Sequence, residues 1–139
     1  MIIQHLNWIA VAVSAIAYFC LGAIWFNPKV FGTAWMKGHG ITAPTEEEKK
    51  NMKMGAMMGM SFIKTFVLII LTAYIVMIIN YSGDTMTAIK IGAVLGGIAS
   101  LPIGINYIFM KKPFTIWVID GGYHVCGIII AALILSVWR

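Results

Sequence analysis

Long apolar runs alternate with short polar ones along this chain. A membrane-crossing helix needs roughly 20 predominantly apolar residues. Four windows reach that length: 6–26, 57–79, 87–109 and 114–138. The first holds no ionisable residue. The second is broken only by Lys64, the third only by Lys90 at its start, and the fourth by Asp120 and His124. The pattern therefore predicts an all-α polytopic membrane protein with four spans. The windows take up about two thirds of the chain, so a single membrane domain over 1–139 is expected. The first window reads as a retained span, because no basic residue precedes it and its apolar run is too long for a cleavable leader.

The connection 27–56 is the one long loop. Asn27-Pro28 ends the first span, since proline cannot continue the helical bonding. Val30, Phe31, Trp35 and Met36 then recur at roughly helical spacing between Lys29 and Lys37. That spacing predicts a short helix lying in the membrane interface, broken at Gly38-His39-Gly40. Thr45-Glu46-Glu47-Glu48 carries the signature of a capping box, a hydroxyl at the N-cap and a carboxylate three residues on. The three glutamates also suit the positive end of a helix dipole. With only Gly55 and Gly59 to weaken it, one helix from Glu46 to Ile79 is expected, roughly 50 Å long at about 1.5 Å per residue.

Composition agrees with a membrane location. Sixty per cent of the residues are apolar, 11% are charged and the mean hydropathy is +0.90. A soluble domain carries about a quarter charged residues, so a water-soluble globule, a disordered chain and a nucleic-acid-binding role are all excluded. The net charge of +5 is unevenly placed. Lys29, Lys37, Lys49, Lys50, Lys53, Lys111 and Lys112 fall in the two connections on one side, against Lys90 and Arg139 on the other. The positive-inside rule puts the lysine-rich connections in the cytoplasm and both termini outside. Trp8, Trp138 and Tyr81 are then expected near the outer interface, and Trp25, Trp35 and Trp117 near the inner one.

Ionisable groups inside a span are costly and raise a functional hypothesis. At about 1.5 Å per residue, Asp120 lies roughly 9 Å in from the cytoplasmic end of its window and His124 roughly 15 Å in. On the same measure Lys64 is roughly 10 Å in and Asn106 roughly 5 Å in. Lys64, Asn106 and Asp120 thus share a layer, with His124 one turn deeper on the face of Asp120. One outcome is a structural knot, with Lys64 paired to Asp120 and His124 donating to Asp120 or to a backbone carbonyl. Another is a proton or ion relay, since histidine titrates near neutral pH. Lys64 could instead extend along the helix to the interface. No nucleophile, metal-ligand set or phosphate loop accompanies these groups, so no catalytic residue, metal or cofactor is assigned.

Ala88, Gly92, Gly96, Ser100 and Gly104 repeat every four residues along the third span. Such a stripe lets another helix approach closely, as a packing seam; the alternative is a pore lining, and it could also serve as a seam between subunits. Pro102 is expected to kink that helix. Met52, Met54, Met57, Met58 and Met60 read as flexible packing rather than a soft-metal site. Cys20 and Cys126 read as free thiols at unmatched depths. His5 and His39 are isolated and receive no role, and Asp84 reads as a turn residue.

Two segments carry a resemblance. One is Gly22-Ala23-Ile24-Trp25-Phe26-Asn27-Pro28, continuing through Phe31-Gly32 to Trp35. The other is Trp117-Val118-Ile119-Asp120-Gly121-Gly122-Tyr123-His124. Together they resemble the prokaryotic membrane-protein family catalogued as domain of unknown function 1761, over nearly the whole chain. The resemblance implies a four-helix integral protein of the prokaryotic inner membrane and draws attention to Trp25, Asn27, Pro28, Phe31, Gly32, Trp35, Asp120, Tyr123 and His124. The family pattern often has Tyr-Ser-Pro where Phe26-Asn27-Pro28 stands, and Ala where Gly121 stands. It implies no activity. Taken with the polar layer, these features favour an oligomeric small channel or transporter, its partners being the bilayer and copies of itself or another membrane protein. The alternative is an accessory or scaffold subunit of a larger membrane complex.

Overall fold

The computed structural model describes residues 5–80 and 82–138; Tyr81 and Arg139, used above for the threading, lie outside them. Of the described residues 84% are helical, and none is in a strand. Four helices are long and apolar enough to cross a membrane: α1 (Trp8–Trp25), α4 (Met54–Ile79), α5 (Thr85–Phe109) and α6 (Phe114–Val137). They agree with the four windows to within three residues at each end. Between α1 and α4 stand a π-helical turn (Pro28–Gly32), α2 (Thr33–His39) and α3 (Glu46–Asn51). The protein is a multi-pass membrane protein.

Each boundary has a local cause. Asn7 caps α1 by accepting from Ile9 N–H and Ala10 N–H, both at 3.1 Å. Asp84 does the same for α5 through Thr87 N–H at 2.7 Å, so the expected turn residue is a helix cap. Gly40 ends α2 in the left-handed conformation, at φ 70°, which glycine adopts without the Cβ penalty. Asn80 ties the turn after α4. It accepts from Asp84 N–H at 3.0 Å, donates to Asp84 O at 2.8 Å and bonds Ser136 Oγ of α6. α5 runs unbroken through Pro102.

The capping box forms as its sequence predicts. Thr45 N–H and hydroxyl both donate to Glu48 Oε2, and Glu48 N–H returns a bond to Thr45 Oγ1. The helix it starts does not continue into the second span. Met52 turns extended (φ −71°, ψ 125°), and Met54 N–H bonds back to Met52 O at 2.8 Å. No residue of α3 is buried, so no packing holds the charged segment in line with the apolar one, and Asn51 is a weak helix former. Glu48 is held below the usual carboxylate range, first by Thr45 N–H and then by the Thr45 hydroxyl. The cap is therefore intact at neutral pH and is lost as the pH falls through that depressed value. We expect Thr45→Ala, or sufficient acid, to abolish the helical backbone shifts of 46–51 in a micelle NMR spectrum and leave α4 untouched.

α6 is the central helix, touching α1, α2, α4 and α5. Small residues make this possible. A Cβ added at Gly92 would lie 2.5 Å from Ile129 Cα, and one at Gly96 2.5 Å from Val125 Cα. One at Gly104 would lie 2.7 Å from Trp117 Nε1, and Ser100 Cβ sits 3.0 Å from the position a Gly121 Cβ would take. The stripe on α5 is thus filled by α6 of the same chain rather than left open as a seam between subunits. On the opposite side of α6, Gly127 makes room for the Tyr18 ring. Val11, Ala15, Ile69, Ala73, Ile128, Ala131 and Ala132 fill the centre between α1, α4 and α6.

Candidate functional site

Asn27 and Pro28 redirect the chain at the end of α1. Asn27 Oδ1 accepts from Lys29 N–H at 3.0 Å, and Pro28 occupies the first position of the turn, where a missing N–H costs nothing. Gly32 N–H then bonds Asn27 O at 2.9 Å, closing the π turn. The turn is so tight that a Cβ on Gly32 would lie 2.2 Å from Phe26 O. Phe26 contributes a ring, packed edge-on against Trp35 at 5.6 Å and Tyr123 at 5.2 Å. Phe31 packs on Trp25 at 4.8 Å.

This turn lays α2 across the first turns of α6. Gly38 lies against Ile116, and Lys112 Nζ donates to His39 O at 3.0 Å, holding the C-terminal end of α2. Trp35 then reaches inward, and its Nε1 donates to Asp120 Oδ1 at 2.9 Å. Tyr107 of α5 donates its hydroxyl to Asp120 Oδ2. His39, one turn beyond Trp35 on the same face, presents Nε2 at 3.9 Å from Asp120 Oδ2. That nitrogen is buried and has no hydrogen-bond partner among the described residues. The His39 ring packs between Trp35 at 4.4 Å and Tyr107 at 5.6 Å. Asp120 is only 9% exposed, so its carboxylate draws its stabilisation chiefly from the Trp35 and Tyr107 donors rather than from water.

One turn deeper on α6, His124 Nδ1 shares a hydrogen bond with the Tyr18 hydroxyl of α1. Tyr123 stands edge-on to Tyr18 at 5.0 Å, its hydroxyl 3.4 Å from Tyr18 O. Ser14, one turn further along α1, is fully buried, and its hydroxyl has no partner among the described residues. Two more indoles fasten the site. Trp25 donates to Ile119 O at 3.0 Å, and Trp117 donates to Ser100 O at 2.9 Å. The tryptophans assigned to the inner interface are therefore cross-links between helices.

The expected polar layer is only partly assembled. Asp120, Trp35, Tyr123 and His124 come together, but His124 bonds Tyr18 instead of Asp120 or a backbone carbonyl. Lys64 and Asn106 do not join them, and both are exposed. α4 buries Thr65, Ile69, Thr72, Ala73 and Val76, and Lys64 lies about 100° off that face. On α5 the small-residue stripe faces α6, and Tyr107, three residues beyond Gly104, continues it, whereas Asn106 points away. That phase was the available signal for Tyr107. His39, assigned no role from sequence, is placed by its spacing of four from Trp35. Tyr18 had no comparable signal: its partner is 106 residues away.

No curated protein matches this chain, and no solved structure does. The model of the family described as "Protein of unknown function (DUF1761)" matches residues 9–136, spanning the π turn, α2 and all four long helices. The chain belongs to the family of domain of unknown function 1761.

Proposed function

We propose that this protein is a small proton-handling channel or transporter, working as an oligomer in the prokaryotic inner membrane. The observation that carries the reading is the Asp120 carboxylate, buried within a span and faced by an unbonded imidazole nitrogen of His39. Tyr107 and Trp35 hold the carboxylate in place, and a proton is the species that can move between two such groups without opening the packing. Deeper in the bundle stand further polar groups, the hydrogen-bonded pair His124 and Tyr18 and, one turn along α1, the buried Ser14 hydroxyl. At the opposite end a cavity of about 260 Å³ reaches Val11, three residues from Ser14. The seven lysines of the connections gather at the His39 end, and the positive-inside rule makes that end cytoplasmic, with both termini outside.

Proteoliposomes test this. A pH-sensitive dye inside vesicles should report proton entry driven by an imposed potential. Asp120→Asn should abolish it and Tyr18→Phe should slow it. Equal rates for wild type, Asp120→Asn and empty vesicles would sink the proposal.

One observation favours an accessory or scaffold subunit instead. Residues 54–61, the first two turns of α4, are exposed on every side, and Gly55 and Gly59 have nothing within 4 Å of an added Cβ. A partner membrane protein could pack there. Native mass spectrometry after gentle extraction separates the two readings: copies of this chain alone support the first, and a constant second protein supports the other.

A further inference from the structure

We infer that the groove between α5 and α6 at the lysine-rich end binds one anionic phospholipid, its acyl chain in the groove and its headgroup phosphate on Lys112. The groove holds about 310 Å³. Leu101, Ile105 and Ile108 form one wall along α5, and Phe114 and Trp117 form the other. From Leu101 to Ile108 it runs roughly 10 Å parallel to the helix axis, the direction a lipid tail takes beside a spanning helix. Gly104 forms its floor, where a side chain would strike the Trp117 indole.

The groove is apolar along its length and cationic at one end. Lys112 lines that end, and Lys111 beside it is exposed. Lys112 Nζ spends one N–H on His39 O, and an ammonium has two more to offer a phosphate. The cation sits just past the ends of α5 and α6, at the level where headgroups begin, so tail and charge are spaced as one amphiphile needs. A second copy of this chain fits less well, because it would bring its own lysine-rich end against Lys111 and Lys112. The occupant would touch Tyr107 and Lys112, the residues that hold Asp120 and the end of α2.

Trp117 is a built-in reporter. The protein would be reconstituted in phosphatidylcholine vesicles containing a minor fraction of either brominated phosphatidylglycerol or brominated phosphatidylcholine. The share of quenching due to Trp117 is obtained by difference from Trp117→Phe. The expected result is stronger quenching by the anionic lipid, equivalent to an enrichment of about fivefold at the groove, the ratio one lysine near an anionic surface supplies. Lys112→Gln should remove the preference and leave quenching by phosphatidylcholine unchanged. Lys112→Arg should keep it, and so should Lys37→Gln, which removes an exposed lysine at the same end outside the groove. Equal quenching by both lipids in the wild type would overturn the inference, as would a preference that survives Lys112→Gln. Shielding of Trp117 from both lipids would overturn it too, because a protein would then fill the groove. Unchanged Trp35 emission in the Lys112 variants confirms that α2 stays docked.

Discussion

Gly96→Leu should separate α5 from α6 and lower the unfolding midpoint in detergent more than any single surface change. The position leaves no space: a Cβ there would lie 2.5 Å from Val125 Cα and 3.1 Å from Val125 Cγ2. Backbone cannot yield as a flexible side-chain tip can, so the helices must move apart. Overpacking of this kind costs about 1–3 kcal/mol, and separation would also weaken the neighbouring contacts at Gly92 and Gly104. Gly97 supplies the control. It is the next residue on the same helix, and nothing lies within 4 Å of a Cβ added there. Gly97→Leu should be neutral or stabilising, because leucine favours a helix over glycine by up to about 1 kcal/mol. Circular dichroism melts of the two variants, side by side, decide the matter. Equal midpoints would mean that the stripe is not the α5–α6 contact.

Asp120→Ala should be the second large loss, by a different cause. The substitution creates little strain. It removes the acceptor of two donors, Trp35 Nε1 and the Tyr107 hydroxyl, which tie α2 and α5 to α6 at this level. A buried donor left without an acceptor costs about 1–3 kcal/mol. The combined loss should be on the order of 2–5 kcal/mol, since the two share a network and do not simply add. Asp120→Asn keeps an acceptor oxygen and should lose clearly less. The local signature is the release of α2: Trp35 should shift its emission to longer wavelength, and the segment around Gly40 should become open to protease. A melt and a protease digest read both effects. An Asp120→Ala protein as stable and as resistant as wild type would show that Asp120 does not fasten α2 to the bundle.

These two positions illustrate what was legible beforehand. The glycine stripe is visible as a period of four, and its use as a close contact follows from the absence of side chains. Its partner is not visible, because any helix can fill such a groove; the stripe is met by Ile129, Val125 and Trp117 of α6 rather than by a second subunit. Asp120 stands out as a carboxylate inside an apolar run, where an unpartnered charge is costly. By depth alone Lys64 and Asn106 belong beside it, yet depth is only one of two coordinates. The other is rotation about the helix axis, and a difference of one residue turns a side chain by about 100°. That turn puts Lys64 outside and exchanges Asn106 for Tyr107.

Local chemistry was determined by the sequence wherever both partners are near neighbours. The four spans, the Thr45–Glu48 cap and the stop at Gly40 all depend on hydropathy or on bonds reaching only a few residues, and they are present where expected. The junction at Met52–Lys53 is the exception, because a helix continues or breaks according to what packs on it, and no residue of α3 is buried. Only the tertiary structure decided the membership of the site. The π turn at Pro28–Gly32 swings α2 onto α6 and brings Trp35 and His39 to Asp120, across more than 80 residues of chain. Tyr18 meets His124 across 106. Partners that distant are chosen by which helix faces fill one another's space, a property of the packed bundle that no short stretch of sequence carries.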